Sequence, residues 1–515
     1  MRKLLCVAVA IAAVLTGAPG QALAAKKPDP TAVKPSELSV INAILRQGRA
    51  KAEKGDWAGA KESYQSVIDN PVFPRLAPEM RHFAYYVLAA AELYNDEAEA
   101  AYTHMVAAAE AAPKKMDGSD WLFFANVAFE AGKSEAAGDA AVRAVTEFPD
   151  EVKKADSWRV FSLANRFDDI RDDRVRYQKF LEGLRGINYV PEAAFTTAET
   201  LWFDLFTIYA DRGDDAKAQG LADGLTESFT VVRRQTDKRY QRFVPAGDDA
   251  YVKALEGDIA VARSLMTRHP AKMEGVQSLA ETLKNANRLP EALKLADEAL
   301  AKVDAAPKDK PAFEDLKDYH AWTLGTRSDI LMLMGRHDDA LAAQTRARDV
   351  AVTADQDTVS HRINLGGVLN DLGRPADALA EVKEVDSKKT SKYGVMAAEE
   401  VRACAHAQRG DKAALATSLD YMRTHADDGE NVLQSALLCA NEMDEAAKRL
   451  IARLDDPLKR GPALARVQTY LPKLQPTAWQ KTVDGRLAAL IARPDVQAAV
   501  VKYGVIRRYP VFSYR

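Results

Sequence analysis

One spacing recurs along most of this 515-residue chain. A glycine or asparagine is followed by small or aromatic residues five, nine and twelve positions later. Gly55 leads Ala60, Tyr64 and Val67, with Pro71 closing the unit; Gly132 leads Ala137, Ala141 and Ala144, with Pro149 closing it. Gly213 repeats the spacing with Ala218, Ala222 and Leu225, and Asn287 with Ala292, Ala296 and Ala299. Gly335 leads Ala340, Gln344 and Ala347, and Gly373 leads Ala378, Val382 and Val385. Matching apolar residues precede the turns: Trp121, Phe124, Ala125 and Ala128; Trp202, Leu205, Phe206 and Tyr209; Leu365, Gly366 and Leu369. Residues three and four apart share one helix face. A glycine or asparagine ends the preceding helix in a left-handed turn that other residues resist. Small residues on the shared face let two helices approach closely. Runs of β-branched alternation are few, so strands are scarce. The spacing therefore predicts an all-α chain of helical hairpins repeated end to end.

This pattern resembles the tetratricopeptide repeat, a helix-turn-helix unit of about 34 residues with a W-x2-L-G-x2-Y first helix. The unit at 119–150 carries it as Trp121, Phe124, Ala125, Ala128, Gly132, Ala137, Ala141, Ala144 and Pro149. The unit at 200–230 carries it as Trp202, Leu205, Phe206, Tyr209, Gly213, Ala218, Ala222 and Leu225. Weaker copies lie around Asn95, Asp168, Gly257, Gly410 and Asn441, so the resemblance covers about residues 38–457. It implies a right-handed α-solenoid of stacked antiparallel hairpins with a concave groove.

Several intervals depart from the family's length. Gly335 to Gly373 spans 38 residues, Gly373 to Gly410 spans 37, and Asn287 to Gly335 spans 48, with a loop at 305–312 holding Pro307 and Pro311. The stretch 228–249 fits the repeat poorly. The expected organisation is a signal peptide at 1–25, a Pro-rich leader at 26–37 and an N-terminal array at 38–228. An irregular helical joint at 229–270, a C-terminal array at 271–457 and a cap with an aromatic-basic tail at 458–515 follow. Terminal repeats need such covering.

The first residues read as an export signal. Arg2 and Lys3 form a charged start, Leu4 to Leu15 an apolar run of 12 residues, and Ala22-Leu23-Ala24 a small-x-small cleavage pattern. The run is too short for a membrane span, which needs about 20 residues. Cleavage takes the net charge from −3 to −5. The expected product is periplasmic or otherwise exported. No bulk basic charge argues for nucleic acid. Cys6 leaves with the signal, and Cys404 and Cys439 remain. An even pair in an oxidising compartment invites a disulfide, but the repeat register sets the two thiols about a turn out of step. Two separate buried thiols are the expectation, with the bridge restored by a shift of register.

No constellation carries chemistry. Gly132-Lys133-Ser134 lacks the glycine that a phosphate loop needs five residues earlier, where Val127 stands. The eight histidines are dispersed, and Ser360 and His361 are helix neighbours that point apart. Acid pairs such as Asp338-Asp339 and Asp455-Asp456 fall at helix ends, where a carboxylate favours the dipole. The expectation is a protein without catalytic residues, metal or cofactor.

Arg233, Arg234, Lys238, Arg239 and Arg242 are interleaved with Tyr240 and Phe243 and opposed only by Asp237. They read either as a solvated helix face with the aromatics in the core or as a docking site for an anionic lipid, glycan or acidic peptide. The tail Arg507–Arg515 reads as a lid folded onto the last helices, or as a strand-like arm for a partner's sheet edge. In the family, first helices line the groove through their second, fifth, ninth, twelfth and thirteenth positions. By that resemblance the groove holds Asn126, Phe129, Glu130, Phe203, Thr207 and Asp211, then Glu281, Lys284, Asn285, Asp329, Asn370 and Asp371. No unit carries the groove lysine and asparagine, one turn apart, that clamp a C-terminal carboxylate in some members. The expected function is a non-catalytic scaffold that binds a protein or peptide partner in the groove. The alternatives are an envelope-assembly accessory using the basic segment, or a non-catalytic subunit of an enzyme complex.

Overall fold

A computed structural model describes residues 33–169, 174–244, 249–354, 358–385 and 390–512. The export signal and most of the leader lie outside them. The chain divides into two compact units, Met1–Ile208 and Tyr209–Arg515. The all-α expectation holds: every regular element among the described residues is a helix, and the extended pairings are two isolated bridges.

In the first unit the helices pair as Pro35–Ala52 with Trp57–Ile68, Pro78–Tyr94 with Ala98–Ala111, and Gly118–Glu130 with Ser134–Glu147. Ser157–Asp169 and Arg174–Gly186 follow. In the second unit, Met273–Asn285 pairs with Leu289–Ala305, Leu316–Leu333 with His337–Thr353, and Thr358–Asp371 with Pro375–Lys383. Lys392–Arg409 then pairs with Lys412–Thr424, and Glu430–Ala440 with Met443–Asp455.

Each of these turns has a residue at positive φ: Gly132 at 70°, Gly335 at 75° and Gly373 at 72°, with Asn287 at 58° and Asn441 at 63° among the non-glycines. Two backbone bonds close it. At Gly132 they run from Gly132 N to the Phe129 carbonyl (3.0 Å) and from Lys133 N to the Ala128 carbonyl (2.8 Å). This left-handed C-terminal motif satisfies carbonyls that a helix end would otherwise leave without partners. The copy expected near Asn95 turns at Asp96, φ 61°. Gly257 makes no turn. It lies inside the helix Ala250–Arg268, whose buried Tyr251, Leu255, Ile259 and Ala262 keep helical spacing straight through it.

In several hairpins the residue seven before the turn meets the alanine five after it. Ala60, Ala137, Ala218, Ala292, Ala340 and Ala378 are all fully buried, as are Ala101 and Ala446 in the weaker copies. Where the facing residue is polar it bonds that alanine's carbonyl. Ser328 Oγ donates to the Ala340 carbonyl at 2.7 Å, and Gln434 Nε2 to the Ala446 carbonyl at 3.1 Å. Where it is Gly366, an added Cβ would sit 3.6 Å from the Ala378 carbonyl and 2.8 Å from a Val401 methyl.

Cys404 and Cys439 form a disulfide, with Cα atoms 5.0 Å apart, which corrects the expectation of two separate thiols. The two helices differ in length, 18 residues in Lys392–Arg409 against 11 in Glu430–Ala440. The shorter helix ends beside the middle of its neighbour, and this stagger absorbs the four-residue difference in register, about 6 Å along the axis.

The tail also goes further than the last helices. Tyr509 and Val511, 2% and 1% exposed, pack with Val231, Val232, Tyr251 and Leu255. Phe512 packs against the cluster of Ile259, Leu283 and Leu289. The main chain follows. Val505 N donates to the Thr236 carbonyl (3.0 Å), Lys238 N to the Tyr503 carbonyl (3.0 Å), and Tyr509 N to the Thr469 carbonyl (2.9 Å). The end of the second unit is thus joined to its beginning.

Two outcomes follow from this packing. Ala137→Leu forces extra volume into a contact with no free space and should destabilise the first unit by about 1–3 kcal/mol, read by chemical denaturation; an unchanged midpoint would contradict the contact. Replacing both cysteines, Cys404→Ser with Cys439→Ser, opens a link across 35 residues. That should lower the second unit's stability by roughly 3–4 kcal/mol, and reductant should have the same effect on the unaltered chain.

Candidate functional site: the first-helix face

In the first unit, neighbouring first helices run side by side in the same direction. His82 faces Asp120 (Nε2 to Oδ2, 3.9 Å) and Tyr86 meets Phe123. Arg159 Nη1 donates to the Ser119 carbonyl at 3.1 Å, Phe129 meets Phe167 edge-on at 5.2 Å, and Arg166 pairs with Glu130. The pairs Ser119–Arg159 and Phe129–Phe167 bracket Asn126 and set it level with about Asn165.

These contacts sort the expected groove residues. Phe129 and Phe203 are buried. Asn126 is half-buried, its Nδ2 donating to the Leu122 carbonyl at 3.0 Å, and Thr207 Oγ1 donates to the Asp204 carbonyl at 2.8 Å. What remains open is the exposed amide of Asn165 and the ring of Trp158, which is 45% exposed, while Glu130 is exposed but paired with Arg166. Trp158 and Asn165 are seven residues apart and share one helix face. The sequence reading passed over both. Their helix, Ser157–Asp169, is not followed by a glycine turn to set its register, and only the apolar residues between them, Val160, Leu163 and Ala164, signal the polar side.

In the second unit much of the same face is occupied by its own side chains. Lys284 Nζ lies 2.7 Å from Glu281 Oε1 and 3.4 Å from Asp329 Oδ2. Asn285 is exposed. Asn370 is buried, and its Nδ2 donates to the Val401 carbonyl at 2.9 Å. Asp371 accepts from Gln480 Nε2 at 2.8 Å, and its carbonyl accepts from Thr477 Oγ1. Asp211 accepts from Arg239 Nη1 and from Tyr240 Oη, each at 3.1 Å.

The basic segment is bonded internally. Arg234, 1% exposed, donates to the carbonyls of Ala222 and Phe243 at 3.1 Å and of Leu225 at 2.6 Å. Such a guanidinium ties loops together and does not reach a partner's surface. Arg239 pairs with Asp237 (2.7 Å) and Asp211, and Arg242 with Asp215 (2.7 Å). Lys238 Nζ donates to the Val501 carbonyl, and Arg233 lies over Gly461, where any Cβ would meet its guanidinium at 2.6 Å. The aromatics Tyr240 and Phe243 are in the core.

Asp120 on this face has a displaced ionisation. Burial, then the nearby Asp117 carboxylate, push its pKa up to about 6, against the opposing pull of the Asp117 amide hydrogen bond, His82 and Arg159. Among the described residues no three His, Cys, Asp or Glu are placed to hold a metal ion, and no helix is long and apolar enough to cross a membrane.

A scan against protein-family models finds no match, and no curated protein matches the chain. Among solved structures, the chain is similar to a tetratricopeptide repeat protein from Parabacteroides merdae ATCC 43184, at 11% identity over 64% of this chain and 99% of that one, TM-score 0.34. It is also similar to a Rap protein complexed with competence and sporulation factor, at 11% identity over 80% and 99%, TM-score 0.31. The APC/C hetero-tetramer Cut9-Hcn1 gives 12% identity over 90% and 92%, TM-score 0.31. The hairpin-repeat fold stands on the turns and packing described above.

A raised carboxylate favours the native state when protonated, and that contribution is lost as pH rises through about 6. Asp120→Asn keeps an acceptor for the Asp117 amide and removes the buried charge. The melting temperature of the first unit should therefore rise at pH 7.5, by an amount corresponding to on the order of 1–3 kcal/mol, and show little gain at pH 4.5. An equal change at both pH values would contradict the assignment.

Proposed function

We propose that this is an exported, non-catalytic scaffold that holds a peptide-like segment of a partner protein on the first-helix face of its N-terminal unit. The observation that carries this reading is the contrast between the two units. On the second unit's face Lys284, Glu281, Asp329, Asn370 and Asp371 are engaged with one another or with the chain's own backbone and C-terminal block, and the Trp322 ring rests on His361. The first keeps an indole and an exposed amide seven residues apart on one helix, level with Asn126 of the next. An amide both donates and accepts, as a peptide backbone does. An exposed indole offers a large apolar contact of the kind that dominates interfaces.

Export is supported by the charged start, apolar run and small-x-small pattern at the N-terminus. It is supported independently by a disulfide between two hairpins, a bond that persists in oxidising compartments. The reading in which the basic segment docks an anionic surface draws no support from the geometry, because its arginines are held by aspartates and carbonyls of the same chain.

In-cell crosslinking followed by pull-down tests this directly. With Trp158→Ala and Asn165→Ala together, capture of the dominant partner should fall at least about tenfold, as expected for loss of an aromatic anchor, while the melting temperature is unchanged. Capture that survives this pair but is lost with Asn285→Ala and Asp329→Ala would place recognition on the second unit and contradict the proposal.

A further inference from the structure

The helix Ala478–Ala492 is held to the second unit in an unusual way. Of its 15 residues only Gln480 and Leu490 are buried. In the 11-residue helix Glu430–Ala440 beneath it, seven are. Val483, Leu487 and Ile491 add only partial apolar cover. The attachments are chiefly polar and spread along its length. Thr477, which caps the helix, donates to the Asp371 carbonyl, and Gln480 Nε2 donates to the Asp371 carboxylate at 2.8 Å. Arg486 Nη1 donates to the carbonyls of Leu438 (2.9 Å) and Cys439 (2.6 Å), and Arg493 Nη1 to Asp444 at 2.7 Å. Just upstream, Leu474 is 62% exposed, and the Gln475 carbonyl rests on His337 Nε2 at 3.1 Å.

The net contribution of such part-buried hydrogen bonds is only about 0.5–1.5 kcal/mol each, less than that of a fully buried apolar side chain. Segments with few buried apolar contacts open at low free energy while their surroundings stay folded. We infer that Ala478–Ala492 is a strap that opens locally over an intact array, uncovering the Asp371 carboxylate and the carbonyls of Leu438 and Cys439. These acceptors lie at the C-terminal ends of two first helices, where the helix dipole adds negative potential. The arginine and amide that now fill the seat define what it takes when open: an arginine-bearing segment. The inference is independent of the first-helix face of the N-terminal unit.

Limited trypsin digestion of the native full chain, with cut bonds identified by mass spectrometry, tests it. The bonds after Lys481 and Arg486 in the strap should be cut at least about tenfold faster than those after Arg402 and Arg449 in helices of the array. Thr477→Ala with Gln480→Ala should accelerate the strap cuts by about a further tenfold and leave the Arg449 cut unchanged. Equal rates at all four bonds in the unaltered chain would overturn the inference. So would a variant that accelerates strap and array together, because the helix would then unfold only with the array.

Discussion

The structure depends on the close crossing of the two helices within each hairpin, which in most hairpins sets the residue seven before the turn beside an alanine five after it. A left-handed turn fixes how the chain reverses, and that reversal brings these two positions together at the helix crossing. A small residue suits the second helix at this crossing, and Ala60, Ala101, Ala137, Ala292, Ala340, Ala378 and Ala446 have no exposed surface; the hairpin at Gly410 carries Leu415 there instead. The first helix tolerates variety because it can bond the opposing backbone. Gly366 leaves space, Ser328 donates a hydroxyl and Gln434 an amide to the same carbonyl position. Ion pairs such as Lys61–Glu97, Lys133–Glu99 and Arg348–Glu381 then link each hairpin to the next. The first two are largely solvent-facing, and such pairs are worth about 0–1 kcal/mol each, while Arg348–Glu381 is more sheltered. The buried alanines carry more of the stability.

A linear array is stabilised by neighbour contacts and leaves its ends open. The second unit departs from that arrangement. Its last segment returns to its first helices through Tyr509, Val511, Gly504 and Val505, and the disulfide fixes two hairpins along the way. Elsewhere in the C-terminal block, Gln480 covers Asp371, and the Pro457 carbonyl accepts from Arg239, the partner of Asp211. Much of the groove chemistry that the repeat pattern assigns to this unit is therefore taken up by its own side chains, whereas the first unit keeps an indole and an amide open on one helix face.

Much of the fold was legible because it is local. The turn residues and the alanines five positions on sit within one short window, and the sequence located Gly132, Gly335, Asn287 and Asn441 correctly. What failed was register and long-range return. Gly257 looks like a turn until the apolar spacing from Tyr251 to Ala262 is followed through it. The disulfide depends on how far one short helix is staggered against a longer one, which no spacing records. Arg234 reads as surface charge in a basic run, yet three carbonyls from distant segments enclose it. The tail reads as a lid, but its target, Val231 and Val232, lies more than two hundred residues away. For the site, the resemblance located the first-helix face, but not which of its residues stay open. Trp158 and Asn165 were missed because their helix lacks a glycine turn to count from.

The central claim is that closure makes the second unit fold as one body. Native-state hydrogen exchange across a series of urea concentrations tests it most directly. The account predicts that amides in Ser228–Thr236, Glu430–Ala440 and Pro494–Tyr503 converge on a single opening free energy as urea rises, because the first two are joined through the third. Separate openings, graded hairpin by hairpin from one end of the unit to the other, would contradict it.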